Sequence, residues 1–204
     1  MEKQIWKPGT LLAPVPPVLV SCGSVEEPNA LTIGWTGIIN TIPPMTYISV
    51  RPERFSHSLI KESGEFVINL PTKQLVRAVD FCGVRSGKNV KKFEHCGLTA
   101  MPASQVSAPI IGESPVSLEC KVEQVISLDS HDMFIAKILC IDVDESVVDA
   151  NGRLCLEKAG LITYAHGTYY ELGKALGTFG YTVQKKKKHK KKPQAKAVPA
   201  KNRE

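Results

Sequence analysis

The chain has 204 residues, 43% of them hydrophobic, enough for one sizeable core, and its 15 Gly and 14 Pro leave room for many turns. The overall charge of +6 is uneven: residues 185–204 (KKKKHKKKPQAKAVPAKNRE) hold ten Lys or Arg against one Glu. The remainder therefore carries −3, without the broad basic footprint of a dedicated nucleic-acid-binding domain. Cys22, Cys82, Cys96, Cys120, Cys140 and Cys155 form no CxxC and read as reduced thiols, and no run of ~18 apolar residues supports a cleaved signal or a membrane span. A cytoplasmic protein with no membrane association is expected.

A proline-rich entry leads into a short strand at 19–22, closed by the turn chemistry of GSVEEPN. LTIGWTG (31–37) is a second strand, with two glycines of the kind that let backbone approach a flat or bulky group. MTYISV (45–50) is a third, started by Pro43 and Pro44. Phe55, Leu59 and Ile60 then fall at helical spacing with Gly64 as a stop, and the strand EFVINL follows directly. Thr72 caps a second helix carrying Leu75, Val76 and Val79, which ends near Cys82 and Gly83. VRSGKN is a loop, a short helix covers 91–95 before Gly97, and 98–112 is irregular and proline-spaced.

VSLECKVE (116–123) alternates most clearly, with Val116, Leu118, Cys120 and Val122 on one face and Ser117, Glu119, Lys121 and Glu123 on the face expected to be wet. FIAKILCIDVDESVV is a second long strand, SLDSHD joins the two as a hairpin, and DANG is a turn. LITYAHGTYYELG and ALGTFGYTV complete the folded part. Short strands with helical inserts and no regular βα alternation predict a mainly β fold, a closed antiparallel barrel with flanking helices. The domain is expected over residues 1–184, and 185–204 is a Lys-rich tail whose like charges repel and leave it disordered.

The chemistry concentrates in 29–58. That stretch offers an indole at Trp35, hydroxyls at Thr32, Thr36, Ser49, Ser56 and Ser58, His57, and the cations Arg51 and Arg54. Arg and hydroxyl groups between a strand end and a helix N-terminus suit a phosphate. From spacing alone, solvated strand-end charges and a core Trp35 fit equally well. SGKNVKKF adds a tight turn at Ser86 and Gly87 with Lys88, Lys91 and Lys92, yet lacks the full GxxxxGK[ST] pattern. His131 is flanked by Asp129 and Asp132, but the remaining histidines are scattered singly, so no metal site is expected. GxSxG, HExxH and GxGxxG are all missing, and Cys82 has no identifiable base and reads as a buried small hydrophobe.

Taken together, NALTIGWTGIINTIPPMTYISVRPERFSHS, VDFCGVRSGKNVKKFEHCGLT and SPVSLECKVEQVISLDSHDMFIAKI resemble the flavoredoxin and flavin reductase-like family over residues 7–181. The resemblance implies an FMN-binding split barrel, a Greek-key antiparallel barrel, that forms a homodimer with one FMN per subunit. It further implies that Thr32, Trp35, Thr36 and Gly37 lie along the isoalloxazine, and that Ser49, Val50, Arg51, Ser56, His57, Cys82, Ser86, Gly87 and Lys91 line the ribityl and phosphate, with Asn29 also in the cofactor site. His131 is implied as the catalytic residue on the donor side. Family members often carry GDHxxxxGxV there, whereas this chain reads DSHDMFIAKI, with Asp129 and Ser130 before the His and Ala136 at the later Gly. The implied function is an FMN-dependent oxidoreductase moving electrons between NAD(P)H or a redox protein and an acceptor. Alternatives are a non-enzymatic FMN electron carrier, or a polyanion-binding protein acting through its tail.

Overall fold

Runs of branched and aromatic residues bounded by Gly and Pro become strands, because such side chains pack on a pleated surface that Gly and Pro interrupt. The computed structural model describes residues 1–183. It contains β1 (Val18–Gly23), β2 (Pro28–Ile33), β3 (Thr36–Thr41), β4 (Pro44–Val50), α1 (Phe55–Ser63), β5 (Glu65–Asn69), α2 (Val76–Val84) and α3 (Lys92–Cys96). The short strands β6 (Ala100–Met101) and β7 (Ile110–Ile111) follow, then β8 (Val116–Leu128), β9 (His131–Val143), β10 (Ile162–Ala165) and β11 (Thr168–Glu171).

Seven strands form one antiparallel sheet in the order β2-β1-β5-β8-β9-β4-β3. Its two edges, β2 and β3, are consecutive in the chain, so the sheet must curl to bring them together. The core shows that it does. Leu31 and Ile33 of β2 share one buried cluster with Ile48 and Val50 of β4, with Val20 of β1, and with Phe66 and Phe134 of the middle strands. β2 and β3 do not pair with each other, which makes this the split barrel that the family resemblance implied, where strand patterning alone suggested a closed one. A second cluster lies outside the barrel, where Val79 of α2 and Phe93 of α3 cover Leu19 and Ala30.

Three expectations need correction. LTIGWTG is not one strand: it breaks at Gly34–Trp35, and its halves pair at opposite ends of the sheet. The second helix is not capped by the Thr72 side chain; a single 3-10 turn over Lys73–Leu75 precedes α2. The face of β8 expected to be wet is dry at its start, with Ser117 and Glu119 fully buried. Residues 103–108 cross over that face. Glu119 accepts hydrogen bonds from the Ser104 and Gln105 amides and from the Ser104 hydroxyl, and Ser117 donates to Asn69 at 2.8 Å. Burial raises the Glu119 carboxyl, but those donors more than offset it, while burial and Glu119 push the neighbouring Asp142 upward.

Residues Met1–Leu172 form one compact unit and the chain from Gly173 onward a separate one, with no helix or strand among the described residues of the latter. The Lys-rich run 185–204 lies outside the described residues.

Candidate functional site

The break at Gly34–Trp35 makes the first half of the site. Because β2 and β3 part there, Trp35 leaves the ladder and remains 44% exposed, while its carbonyl still accepts from the Ser49 amide at 3.0 Å. Across from it, His131 opens β9 rather than sitting in the hairpin turn. The two rings face each other at 4.5 Å between centroids, tilted by 36°. The Ser130 hydroxyl lies 3.0 Å from His131 Nδ1. Burial, then the positive charge of Arg51, hold the imidazole below its ordinary pKa. Both rings border a cleft of about 160 Å³, lined also by Thr32, Ser49, Val50, Arg51 and Arg54.

A second cleft of about 310 Å³ shares Leu31, Thr32, Arg51 and Arg54 with the first, so the two adjoin. It is built from the first turn of α1, the end of α2 and the SGKN loop, and is lined by Ser56, Cys82, Arg85, Ser86, Gly87 and Lys92. Arg54 occupies the N-cap of α1 with no side-chain capping bond, which leaves amides at the positive end of the helix dipole directed toward this region. Gly87 passes so close to α1 that an added Cβ would meet the Asn29 side chain and lie 2.7 Å from the Phe55 ring.

The deciding group is Lys92. It is only 3% exposed, and its ammonium donates to the carbonyls of Ala30 at 2.7 Å and Cys82 at 2.9 Å. Among the described residues no carboxylate pairs with it. Burial lowers its pKa, with Cys82 opposing. A buried cation without a counter-charge is expensive unless something else supplies one. Arg51, Arg54 and Arg85 line the same cleft with one carboxylate, Glu53, so cations outnumber acids there.

The structure thus gathers Thr32, Trp35, Ser49, Val50, Arg51, Ser56, Cys82, Ser86, Gly87 and His131 around these two adjoining clefts. Others in the expected set stand apart from it. Asn29 is buried behind Ser56, donating to its hydroxyl at 2.7 Å. Thr36 and Gly37 lie in the β3–β4 ladder, with the Thr36 hydroxyl bound to the Tyr47 carbonyl at 2.6 Å. His57 points into the interior, 2.8 Å from Asp132. Lys91 is exposed at the N-cap of α3, and the lysine in the cleft is the next one, Lys92. Within KKF only helical phase separates the two lysines, and the resemblance pointed to Lys91 where the structure sets Lys92 against the cleft. Cys82 is buried, and burial, then Cys96, push its thiol up to about 12, the state of an inert rather than a nucleophilic thiol.

A family model described as a flavin reductase like domain matches residues 11–173. The chain belongs to this family. An uncharacterized protein of Archaeoglobus fulgidus is 33% identical over 138 residues, covering 68% of this chain and 77% of that protein. Among solved structures, the flavoredoxin of Desulfovibrio vulgaris superposes with a TM-score of 0.83 at 32% identity, over 90% of this chain and all of the other. A Thermus thermophilus FMN-binding protein superposes at 0.73 with 23% identity over 87% of this chain and 98% of the other, a likeness of fold. These matches agree with the split barrel derived from strand order. In this family member, no helix among the described residues is long and apolar enough to cross a membrane.

Proposed function

We propose that this chain binds FMN across the two adjoining clefts and acts as an oxidoreductase, moving electrons between NAD(P)H or a redox protein and an acceptor. The observation that carries the reading is the buried, unpaired ammonium of Lys92 in a cleft that continues into the Trp35–His131 pair. An anion at one end and a planar ring at the other is the shape of a flavin mononucleotide. Lys92, Arg54, Ser56, Ser86 and the α1 N-terminus would hold the phosphate. Trp35, the backbone of Thr32 and Ser49, and His131 would border the ring. Bound FMN would supply the electron transfer itself, leaving the protein to bind, orient and exclude water. Held below its ordinary pKa, His131 is a neutral hydrogen-bonding group near pH 7.

The likeness to a flavoredoxin favours a second reading, an electron carrier with little NAD(P)H activity of its own. One experiment tests both. The purified protein is given FMN, its visible spectrum recorded, and NADH or NADPH added without oxygen. Bleaching by a nicotinamide supports the oxidoreductase. Bleaching only by a reduced iron–sulfur or flavin protein supports the carrier, and failure to take up FMN sinks both.

A homodimer belongs to this reading. Ile38, Ile39 and Ile42 on the β3–β4 hairpin are 64%, 49% and 91% exposed, an apolar edge beside the ring cleft that a second copy would cover. Polyanion binding by residues 185–204 stays a separate proposal, tested by whether their deletion abolishes salt-dependent polyanion binding while FMN uptake persists.

A further inference from the structure

Resting on the FMN reading, we propose that His57 and Asp132 are a positioning pair that fixes the separation between the ring end and the phosphate end of the site. Neither residue lines the cleft. Each is the immediate neighbour of one that does: Ser56 precedes His57 and faces the anion end, and His131 precedes Asp132 and faces Trp35.

A buried hydrogen bond joins the two, and a partly buried one extends it to β8. His57 Nε2 and Asp132 Oδ2 are 2.8 Å apart, with side chains 9% and 10% exposed. The other oxygen, Oδ1, accepts from the Ser127 hydroxyl at 2.7 Å. Ser127 and His57 hold the Asp132 carboxyl below the usual range, so the acceptor is a carboxylate. The His57 ring meets Phe134 edge-on, with centroids 5.3 Å apart. Asp132 also lies opposite Val50 in the β4–β9 register, directly before Arg51, which borders both clefts. The pair therefore ties the first turn of α1 to the β8–β9 hairpin and to the end of β4.

Alternative ties are less directional. α1 is also tied to β2 by the Asn29 amide, which donates to the Ser56 hydroxyl at 2.7 Å, a bond between neutral groups; its remaining contacts with the barrel, through Leu59 and Ile60, are apolar and tolerate sliding and rotation. A buried hydrogen bond to a carboxylate does not tolerate them. A rigid ligand that engages two clefts gains from both only when their spacing matches its own length. Loss of the pair should therefore leave the ring end working while the phosphate contributes less.

Riboflavin, which is FMN without its phosphate, is the probe. Dissociation constants for FMN and riboflavin are measured on the full chain by flavin fluorescence, beside thermal melts of the ligand-free protein. In His57→Leu the FMN preference over riboflavin should fall about tenfold, the scale of one charge-assisted hydrogen bond, with riboflavin binding changed less than about threefold. His57→Gln, whose amide reaches toward the same oxygen, should keep most of the preference. An unchanged preference in folded His57→Leu overturns the proposal even if the protein melts earlier, and so does a His57→Gln as impaired as His57→Leu. Should His57→Leu not fold, Asp132→Asn, which keeps the shape and removes the charge, must lower the preference or the proposal fails. A wild-type protein that binds neither flavin refutes the FMN reading itself, a distinguishable result.

Discussion

The two halves of the cleft are made of different materials. The ring end is strand-built: the β2–β3 break, the end of β4 and the first residue of β9 put Trp35 and His131 face to face with little help from charge. The phosphate end is assembled from a helix N-terminus, a helix C-terminus and a loop, around a buried cation. Contact in the first is tolerant of what sits at the ligand's far end; the second recognises charge. Selectivity for a phosphorylated flavin should therefore reside at one end only.

Lys92→Met breaks that comparison most directly. It should weaken FMN about 10- to 100-fold, the worth of a buried charge-assisted hydrogen bond, while riboflavin affinity holds. Equal loss for both ligands would show that Lys92 holds the fold rather than a phosphate. Gly87→Ala comes next: its new methyl has no room beside Asn29 and Phe55, so about tenfold weaker FMN binding is expected, within the ~1–3 kcal/mol of an overpacked site. Trp35→Ala should act on the opposite half and weaken FMN and riboflavin alike by about 3- to 10-fold, the ~0.5–1.5 kcal/mol of an aromatic contact with its area loss partly replaced by water.

Arg51→Ala should cost only about two- to fivefold for FMN, because Arg51 is exposed and pairs with Glu53 at 3.3 Å, and the loss should vanish in high salt. No effect at low salt would remove Arg51 from the phosphate end. The smallest expected effect is a titration. Trp35 fluorescence, taken as the difference from Trp35→Phe, should be quenched on acidification as His131 gains its proton. Its midpoint should lie below the ordinary His value near 6.5, because burial and Arg51 disfavour the cation, and should rise toward it in Arg51→Ala.

Legibility followed the same division. Trp35, Ser49, Val50 and Arg51 could be singled out because strand alternation and turn chemistry are local and they lie within one short stretch, but Ser49, Val50 and Arg51 were expected at the ribityl and phosphate, and the structure sets them beside Trp35 as well. The split at Gly34–Trp35 was hidden within LTIGWTG, since a strand that changes partners at opposite sheet edges looks continuous in sequence. At the phosphate end, SGKN was recognised as a turn, yet Lys91 stood in for Lys92. Adjacent lysines differ only in which faces the barrel, and that depends on how α3 packs on Ala30 and Cys82. The dry face of β8 was unreadable for a related reason: alternation marks two faces but does not say that residues 103–108 will cover one of them.

The sequence by itself determined most of the strands, the three helices near their observed places, the reduced cysteines and the family with its split barrel, because propensity, turns and motif order are properties of neighbouring residues. Tertiary structure alone decided that LTIGWTG breaks at Gly34–Trp35, that His57 turns inward to Asp132 and that one lysine of the pair is buried with no carboxylate partner among the described residues. Those are facts about which distant surfaces meet, and burial converts an ordinary lysine into a demand for an anion.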